Sequence, residues 1–236
     1  MDWLDLTLPS AEENLALDEA LLHAAEAGEL GEVLRLWEWP LPAVVLGSGG
    51  KLVDEVDESA CLADGVPILR RSSGGGTVLL GRGCLCFSLI LNYSRDARLV
   101  EIRASYLAIL GRLLDALAVP GLTIAGISDL AIDGLKVSGN AQQRKRSHLL
   151  HHGTLLYAFD LPLVSRYLRQ PLRQPEYRAN RPHDAFVRNL DRSRTELVAC
   201  LRNGWQAHQE LTAWPTQRVA ELLRDRYGRI EWHRRR

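Results

Sequence analysis

Neither sign of charge dominates this chain: Lys plus Arg and Asp plus Glu both total 29, so the formal net charge is zero. That balance argues against a dedicated nucleic-acid binder, whose footprint is a strong basic excess. Cysteine is scarce, with four in 236 residues. Cys61, Cys84, Cys86 and Cys200 contain no C-x-x-C spacing and have no matching histidine cluster, which removes the common zinc and dithiol-redox patterns. No apolar run approaches the ~18 residues of a membrane-spanning helix. The start, Met1-Asp2-Trp3-Leu4-Asp5, is too acidic and polar for a signal peptide, so the expected location is the cytoplasm. Repeats and low-complexity tracts are also missing. The glycine cluster Gly74-Gly75-Gly76 fits neither the P-loop pattern nor the dinucleotide-fold pattern, so any nucleotide site here is of another kind.

What is present suits an ordinary globular domain, 46% apolar and 25% charged. The expected organisation is one domain over residues 1–236. Ser10 and Glu13 form a capping-box pattern ahead of a helix over Ala11 to Ala27, closed by Gly28. Short apolar runs at 33–39, 43–46, 66–71, 77–80 and 84–92 read as strands, with a helix over 52–63 between the second and third. The clearest helix covers 100–117. Residues 123–132 and 135–138 read as a hairpin turning at Asp133-Gly134, a strong turn dipeptide. A strand over 153–159 and a short helix over 161–168 follow. Pro171, Pro175 and Pro182 with Arg169, Arg173, Arg178 and Arg181 make 169–184 irregular. Helices over 196–208 and 216–227 close the chain, and Arg234-Arg235-Arg236 reads as a solvated tail. Strands massed in the middle, with helices before and after, predict an α+β fold with a mixed or antiparallel sheet.

Three stretches carry chemistry. In Arg70-Arg71-Ser72-Ser73-Gly74-Gly75-Gly76-Thr77-Val78, successive glycines between strands cost chain entropy but let backbone N–H groups approach a ligand closely. The two arginines add donors suited to phosphate or carboxylate. A flexible loop with incidental basic flanks accounts for the same residues equally well. Lys136, just past the Asp133-Gly134 turn, is either an exposed strand residue or a fixed cation for charge developing on an acyl-phosphate oxygen. Ser138, Gly139, Asn140 and Ala141 offer small side chains and backbone donors beside it. His151-His152-Gly153-Thr154 opens a strand, and no carboxylate or cysteine at ligand spacing makes the histidines metal ligands.

Taken together and in this order, the stretches resemble the lipoate–protein ligase branch of the biotin/lipoate ligase superfamily. That family has an R-R-x-S-G-G-G-x-V loop, then K-x-S-G-x-A-x, then H-H-G-T-L-L, matched here by Arg70 to Val78, Lys136 to Gln142 and His151 to Leu156. The early helix Asn14 to Glu19, Val44 to Gly47 and the run from Tyr177 to Leu190 extend the resemblance over most of 9–190. It implies a class II biotin/lipoate ligase-like catalytic domain performing a two-step acyl transfer. ATP and lipoate, or octanoate, give an acyl-adenylate, which a lysine of a lipoyl-acceptor domain then attacks. The acceptors implied are 2-oxoacid dehydrogenase E2 or glycine-cleavage H-type proteins.

On this resemblance Lys136 contacts the carboxyl oxygen and α-phosphate. Arg71 and Ser73 to Val78 hold the phosphate and acyl end, with Ser138, Gly139 and Ala141 beside them. Asp129 positions the adenylate or Mg2+, and His152, Gly153 and Thr154 line an apolar acyl tunnel near its mouth. The chain departs from the pattern at Leu79-Leu80, where a His is usual, and at Ser128, where an Asn precedes the Asp. It also carries nothing matching the C-terminal accessory domain of long ligases, so the expectation includes a separate accessory subunit for adenylation. Two alternatives stand beside the ligase. One is an octanoyl transferase drawing on acyl carrier protein through a cysteine thioester, although residues 119–135 and 138–141 contain no cysteine. The other is a non-catalytic acyl-binding protein. A biotin ligase fits less well, because its G-R-G-R-x-x-x loop is absent.

Overall fold

The computed structural model describes all 236 residues. The elements are β1 (Asp2–Asp5), α1 (Ala11–Glu26), β2 (Val33–Trp37), β3 (Ala43–Leu46), α2 (Leu52–Glu55), α3 (Glu58–Asp64), β4 (Ile68–Arg70), β5 (Val78–Leu80) and β6 (Cys84–Asn92). There follow α4 (Ile102–Leu117), β7 (Leu122–Ala125), β8 (Asp129–Ile132), β9 (Leu135–Arg144), β10 (His148–Leu156) and α5 (Pro162–Tyr167). The chain closes with α6 (Arg194–Trp205), β11 (Gln209–Glu210), α7 (Thr216–Leu222) and α8 (Ile230–His233). Eight strands form one mixed sheet in the order β11-β1-β2-β6-β10-β9-β8-β7, and β4-β3-β5 form a second, small one. Only the β1 edge of the large sheet is parallel. The α+β expectation therefore holds.

Alternation along the strands divides the interior into two cores. On β6, Cys84, Cys86 and Ile90 enter one core with α1 and the small sheet, while Leu85, Phe87, Leu89 and Leu91 enter the other beneath α4 and α6. The two cysteines thus share a face, as their spacing requires, and both are buried free thiols. Helix α1 is buried around nearly its whole circumference between the large sheet and the C-terminal helices, and its start is the expected Ser10–Glu13 capping box. Its interior polar residues are paired: Asn14 bonds Leu8 through both main-chain groups, and Glu19 accepts from Tyr227 and Arg226.

Several expected elements are divided differently. The run 52–63 breaks into α2 and α3, because Asp57 caps a new helix by accepting from the Ala60 N–H. The strand expected over 123–132 is interrupted at 126–128, giving β7 and β8. The Asp133-Gly134 hairpin is present, with both residues at positive φ (52° and 72°), the geometry of a two-residue turn with both centres left-handed. Consecutive β2 and β3, and β5 and β6, are not hairpins; each pair splits between the two sheets. Strand β10 starts at His148 rather than Gly153, so the two histidines lie inside it. The basic tail is partly docked: Arg235 donates to the Ser48 carbonyl, and the Arg236 carbonyl accepts from the Leu52 N–H. No helix is long and apolar enough to cross a membrane.

Candidate functional site

The α1 face of the large sheet carries a grid of side chains in register. Arg35, Ser88, His152 and Ala141 form one row across β2, β6, β10 and β9, and Trp37, Cys86 and Thr154 form the next. Above this floor lies a cavity of about 140 Å³, walled by Arg71, Gly75 to Val78, Asp129, Lys136 and Gly139, among others. A wider groove of about 610 Å³ opens from it, sharing Thr77, Asp129 and Lys136 and reaching Arg169 and Arg173. The three stretches singled out in the sequence therefore converge on one space. Of the expected residues, only Ser73, Gly74 and Ser138 stand behind the wall of that space.

The glycine loop is bent by Gly75 alone, at φ +87°; a Cβ there would also stand 3.0 Å from the Arg71 guanidinium. The backbone N–H groups of Gly74, Gly75 and Gly76 have no partner within the chain. The arginines behave differently from expectation. Arg70 is fully buried and points away from the cavity, donating to the carbonyls of Gly47, Gly50 and His233. Arg71 faces the cavity, yet its guanidinium is already bonded to the carbonyls of Val45, Gly74 and Gly76 and to Ser73 Oγ. Burial pulls its pKa down to about 10, against the pull of Glu55. The reason is local: a loop with little side-chain bulk needs an internal cross-link, and a five-donor fork supplies it. Glu55 secures the far end, its carboxylate accepting from the Thr77 N–H at 3.1 Å and hydroxyl at 2.6 Å.

Lys136 sits across the cavity, its Nζ 2.9 Å from Asp129 Oδ1 and its side chain 28% exposed. Gly139 leaves it room, since a Cβ there would lie 2.7 Å from Nζ. The other oxygen of Asp129 accepts from Tyr177 Oη at 2.7 Å. Burial and the Asp129 charge together push the Tyr177 phenol far above its ordinary pKa, which keeps it a donor. The segment after Tyr177 also holds the main chain of Lys136, which donates to the Phe186 carbonyl and accepts from the Arg188 N–H. Arg178 and Arg181 both lie over the Phe186 ring. The segment from Tyr177 to Arg188, which begins in the proline-broken stretch and runs past it, thus holds the lysine.

The histidines face opposite sides of β10. His151 is wholly buried on the α4 side, between Gln142 and Asn140, and burial lowers its pKa to about 3. His152 faces the cavity. Its Nε2 is 2.6 Å from Ser73 Oγ, and its Nδ1 is 3.6 Å from Asp18 Oδ2. Ser73 Oγ also accepts from Arg71 Nε, so it links the arginine to the imidazole. Burial raises the Asp18 pKa, but Arg35 and His152 outweigh it, so Asp18 stays anionic. Sequence reasoning gave no role to Asp18, Tyr177, Trp37 or Ser88. The signal for Asp18 was a charge inside an otherwise buried helical run; for the others the sequence alone carries none.

Cys86 is the thiol that reaches the cavity wall. Burial, then its neighbour Cys84, raise its pKa well above the ordinary thiol range. No group of three or more His, Cys, Asp or Glu residues is placed to hold a metal ion. The carboxylates of Asp129 and Glu55 fit a magnesium ion only in the mode where substrate phosphates supply further oxygens.

A family model of the lipoyl protein ligase A/B catalytic domain matches residues 10–199. The octanoyltransferase LipM of Carboxydothermus hydrogenoformans is 30% identical over 256 aligned residues, covering 94% of each chain. A probable lipoate-protein ligase A of Mycoplasma pneumoniae is 34% identical over 158 residues, covering 66% of this chain and 45% of that protein. Among solved structures, one from Thermoplasma acidophilum, described as a bi-partite lipoate protein ligase with its E2 lipoyl domain, superposes with a TM-score of 0.83 at 23% identity. It is covered over 95% of its length by 99% of this chain. A lipoate-protein ligase A bound with ATP gives 0.82 at 23%, with 99% of both chains covered. These two likenesses establish the fold.

Proposed function

The chain belongs to the lipoyl protein ligase A/B catalytic-domain family, and from that premise we propose that it transfers a lipoyl or octanoyl group from an acyl-adenylate to a lysine of a lipoyl-acceptor domain. The observation that carries this reading is the shared cavity between the free N–H groups of the glycine loop and the Lys136 ammonium. Such donors, fixed before the substrate arrives, stabilise an acyl-phosphate anhydride and the charge that develops as it is attacked.

In this account Lys136 leaves Asp129 to bind the anhydride's oxygens, and Asp129 with Tyr177 sets the position it starts from. The main-chain N–H groups of Gly75 and Gly76 hold the phosphate, while Arg71, Ser73 and Glu55 keep the loop in shape. Ser138, Gly139 and Ala141 leave space beside the lysine, and His152, Gly153 and Thr154 form the tunnel floor. The acyl chain lies over that floor, where each methylene removed from water contributes ~0.8 kcal/mol. ATP is the co-substrate of the first step, and magnesium would enter with its phosphates beside Asp129.

A thioester-dependent octanoyl transferase is the second reading, favoured by the LipM relative. Against it, the thiol at the cavity, Cys86, is buried and held protonated. One experiment separates them. The purified chain with an acceptor domain receives either ATP, magnesium and lipoate, a preformed acyl-adenylate, or octanoyl carrier protein. Acceptor acylation from the adenylate, and none from the carrier protein, is expected. Acylation from the carrier protein alone contradicts the proposal. Activity from the adenylate but not from ATP would assign the first step to an accessory subunit.

A further inference from the structure

The first arginine of the glycine-loop stretch, Arg70, is wholly buried, and its guanidinium bonds only main-chain carbonyls: Gly47 at 2.9 Å, Gly50 at 2.7 Å and His233 at 3.0 Å. A buried cation is costly unless its donors are met, so a group of this kind marks a place that the fold holds firmly. Arg70 ends β4, an edge strand of the small sheet. On that open edge its N–H and C=O meet two side chains of α8. His233 Nδ1 accepts from the Arg70 N–H at 2.9 Å, and Trp232 Nε1 donates to the Arg70 carbonyl at 2.8 Å. One helix thus supplies both bonds that a further strand would make. The other ring nitrogen of His233 lies 2.8 Å from the Tyr227 carbonyl. With a main-chain N–H at one nitrogen and a carbonyl at the other, the imidazole is neutral and carries its hydrogen on Nε2.

From Arg70 the contact passes to the glycine loop. Two of the carbonyls that Arg70 holds belong to the turn 47–50, and this turn is the seat of the loop. Ser48 donates its N–H to the Ser73 carbonyl at 2.8 Å. Gly47 has no room for a side chain, since a Cβ there would fall 2.0 Å from the Gly75 carbonyl oxygen. Just beyond α8, Arg235 grips the same turn, donating to the Ser48 carbonyl at 2.7 Å while lying over the Trp232 ring. Gly75 and Gly76 offer free N–H groups to the cavity, and the direction of those groups depends on how the seat is held.

We infer that His233 and Trp232 are positioning residues: by completing the β4 edge at Arg70 they fix the turn 47–50, and through it the glycine-loop N–H groups that meet an acyl-adenylate phosphate. The inference rests on the proposed function for the identity of that phosphate. It gives a part in binding to α8, which lies outside the cavity wall and outside residues 10–199 matched by the family model.

Titration calorimetry on the full chain tests it with two ligands. One is lipoic acid; the other is lipoyl-adenylate with a methylene in place of the anhydride oxygen, which keeps the charge on phosphorus but cannot be transferred. His233→Leu fills the space and takes away the acceptor of the Arg70 N–H. It should weaken the adenylate analogue by about tenfold, the scale of one buried unpaired donor, and leave lipoic acid within about twofold. His233→Asn puts an amide oxygen near the place of Nδ1, so it should restore most of that loss although it packs less well. Trp232→Phe keeps an aromatic ring and deletes the N–H that caps Arg70. It should weaken the analogue by about threefold, and it carries the test if His233→Leu does not fold. Unchanged affinity for the analogue in either folded variant, equal loss of both ligands, or His233→Asn no better than His233→Leu overturns the inference. If the native protein binds lipoic acid but not the analogue, it is the proposed function that fails instead.

Discussion

Replacing Gly139 by alanine tests how closely the lysine is positioned. A Cβ at 139 would stand 2.7 Å from Lys136 Nζ, 2.8 Å from its Cε and 3.7 Å from Asp129 Oδ1. Ordinary carbon contacts lie near 3.5–4.0 Å, so the ammonium must retreat by about 1 Å. The atoms in the way end a flexible side chain, so the backbone has no need to move. The ion pair put at risk is part-exposed and is worth at most about 1 kcal/mol. Stability should therefore change little, while a cation displaced by about 1 Å should slow transfer by about a hundredfold. That corresponds to about 2.7 kcal/mol of barrier. The assay is single-turnover transfer from a preformed acyl-adenylate to an acceptor domain, read by mass, beside a thermal melt. Wild-type transfer by a fully folded Gly139→Ala would refute the reasoning. So would a fall in Tm of more than about 4 °C, which would place the cost in the backbone.

Tyr177→Phe removes the hydroxyl that fixes Asp129 and should slow transfer by about fivefold to tenfold. In a double-mutant cycle with Asp129→Asn, the two effects should fall short of additive, and strict additivity would contradict the coupling. Because burial holds the Cys86 thiol protonated, alkylation of the native protein at pH 8 should spare it and modify the less buried Cys200 first. Equal labelling of both would contradict the assignment. His151 has a folded pKa of about 3 against an ordinary value of 6.5, so the unfolded chain takes up its proton first as pH falls. Its neutral burial should cost stability progressively from pH 6.5 down to 3, by up to roughly 4–5 kcal/mol in total. His151→Gln should flatten that acid limb in chemical denaturation, and an unchanged limb would exclude His151 as its source.

The local grammar of the chain was readable wherever a short-range rule decides the outcome. Ser10 with Glu13, the Asp133-Gly134 turn and the shared face of Cys84 and Cys86 each follow from spacing alone, and each is found. The ordered stretches around the glycines, Lys136 and His152 carried the resemblance to a family, and they converge on one cavity. Spacing could not assign strands to sheets: β2 and β3 read as neighbours, and only the tertiary fold sends them apart. Nor could it tell Arg70 from Arg71, the last residue of β4 and the one after it, one serving the C-terminal helix and the other the loop. Tyr177 meets Asp129 across 48 positions of sequence.

The reading stands or falls on the Lys136 ammonium. With a chemically prepared lipoyl-adenylate and an acceptor domain, single-turnover transfer by Lys136→Ala should fall by at least about a hundredfold, the scale of losing one preorganised electrostatic contact. Its melting temperature should stay near that of the unaltered protein. Undiminished transfer by the folded variant would mean that the cavity between the glycine loop and β9 is not where the acyl group changes hands.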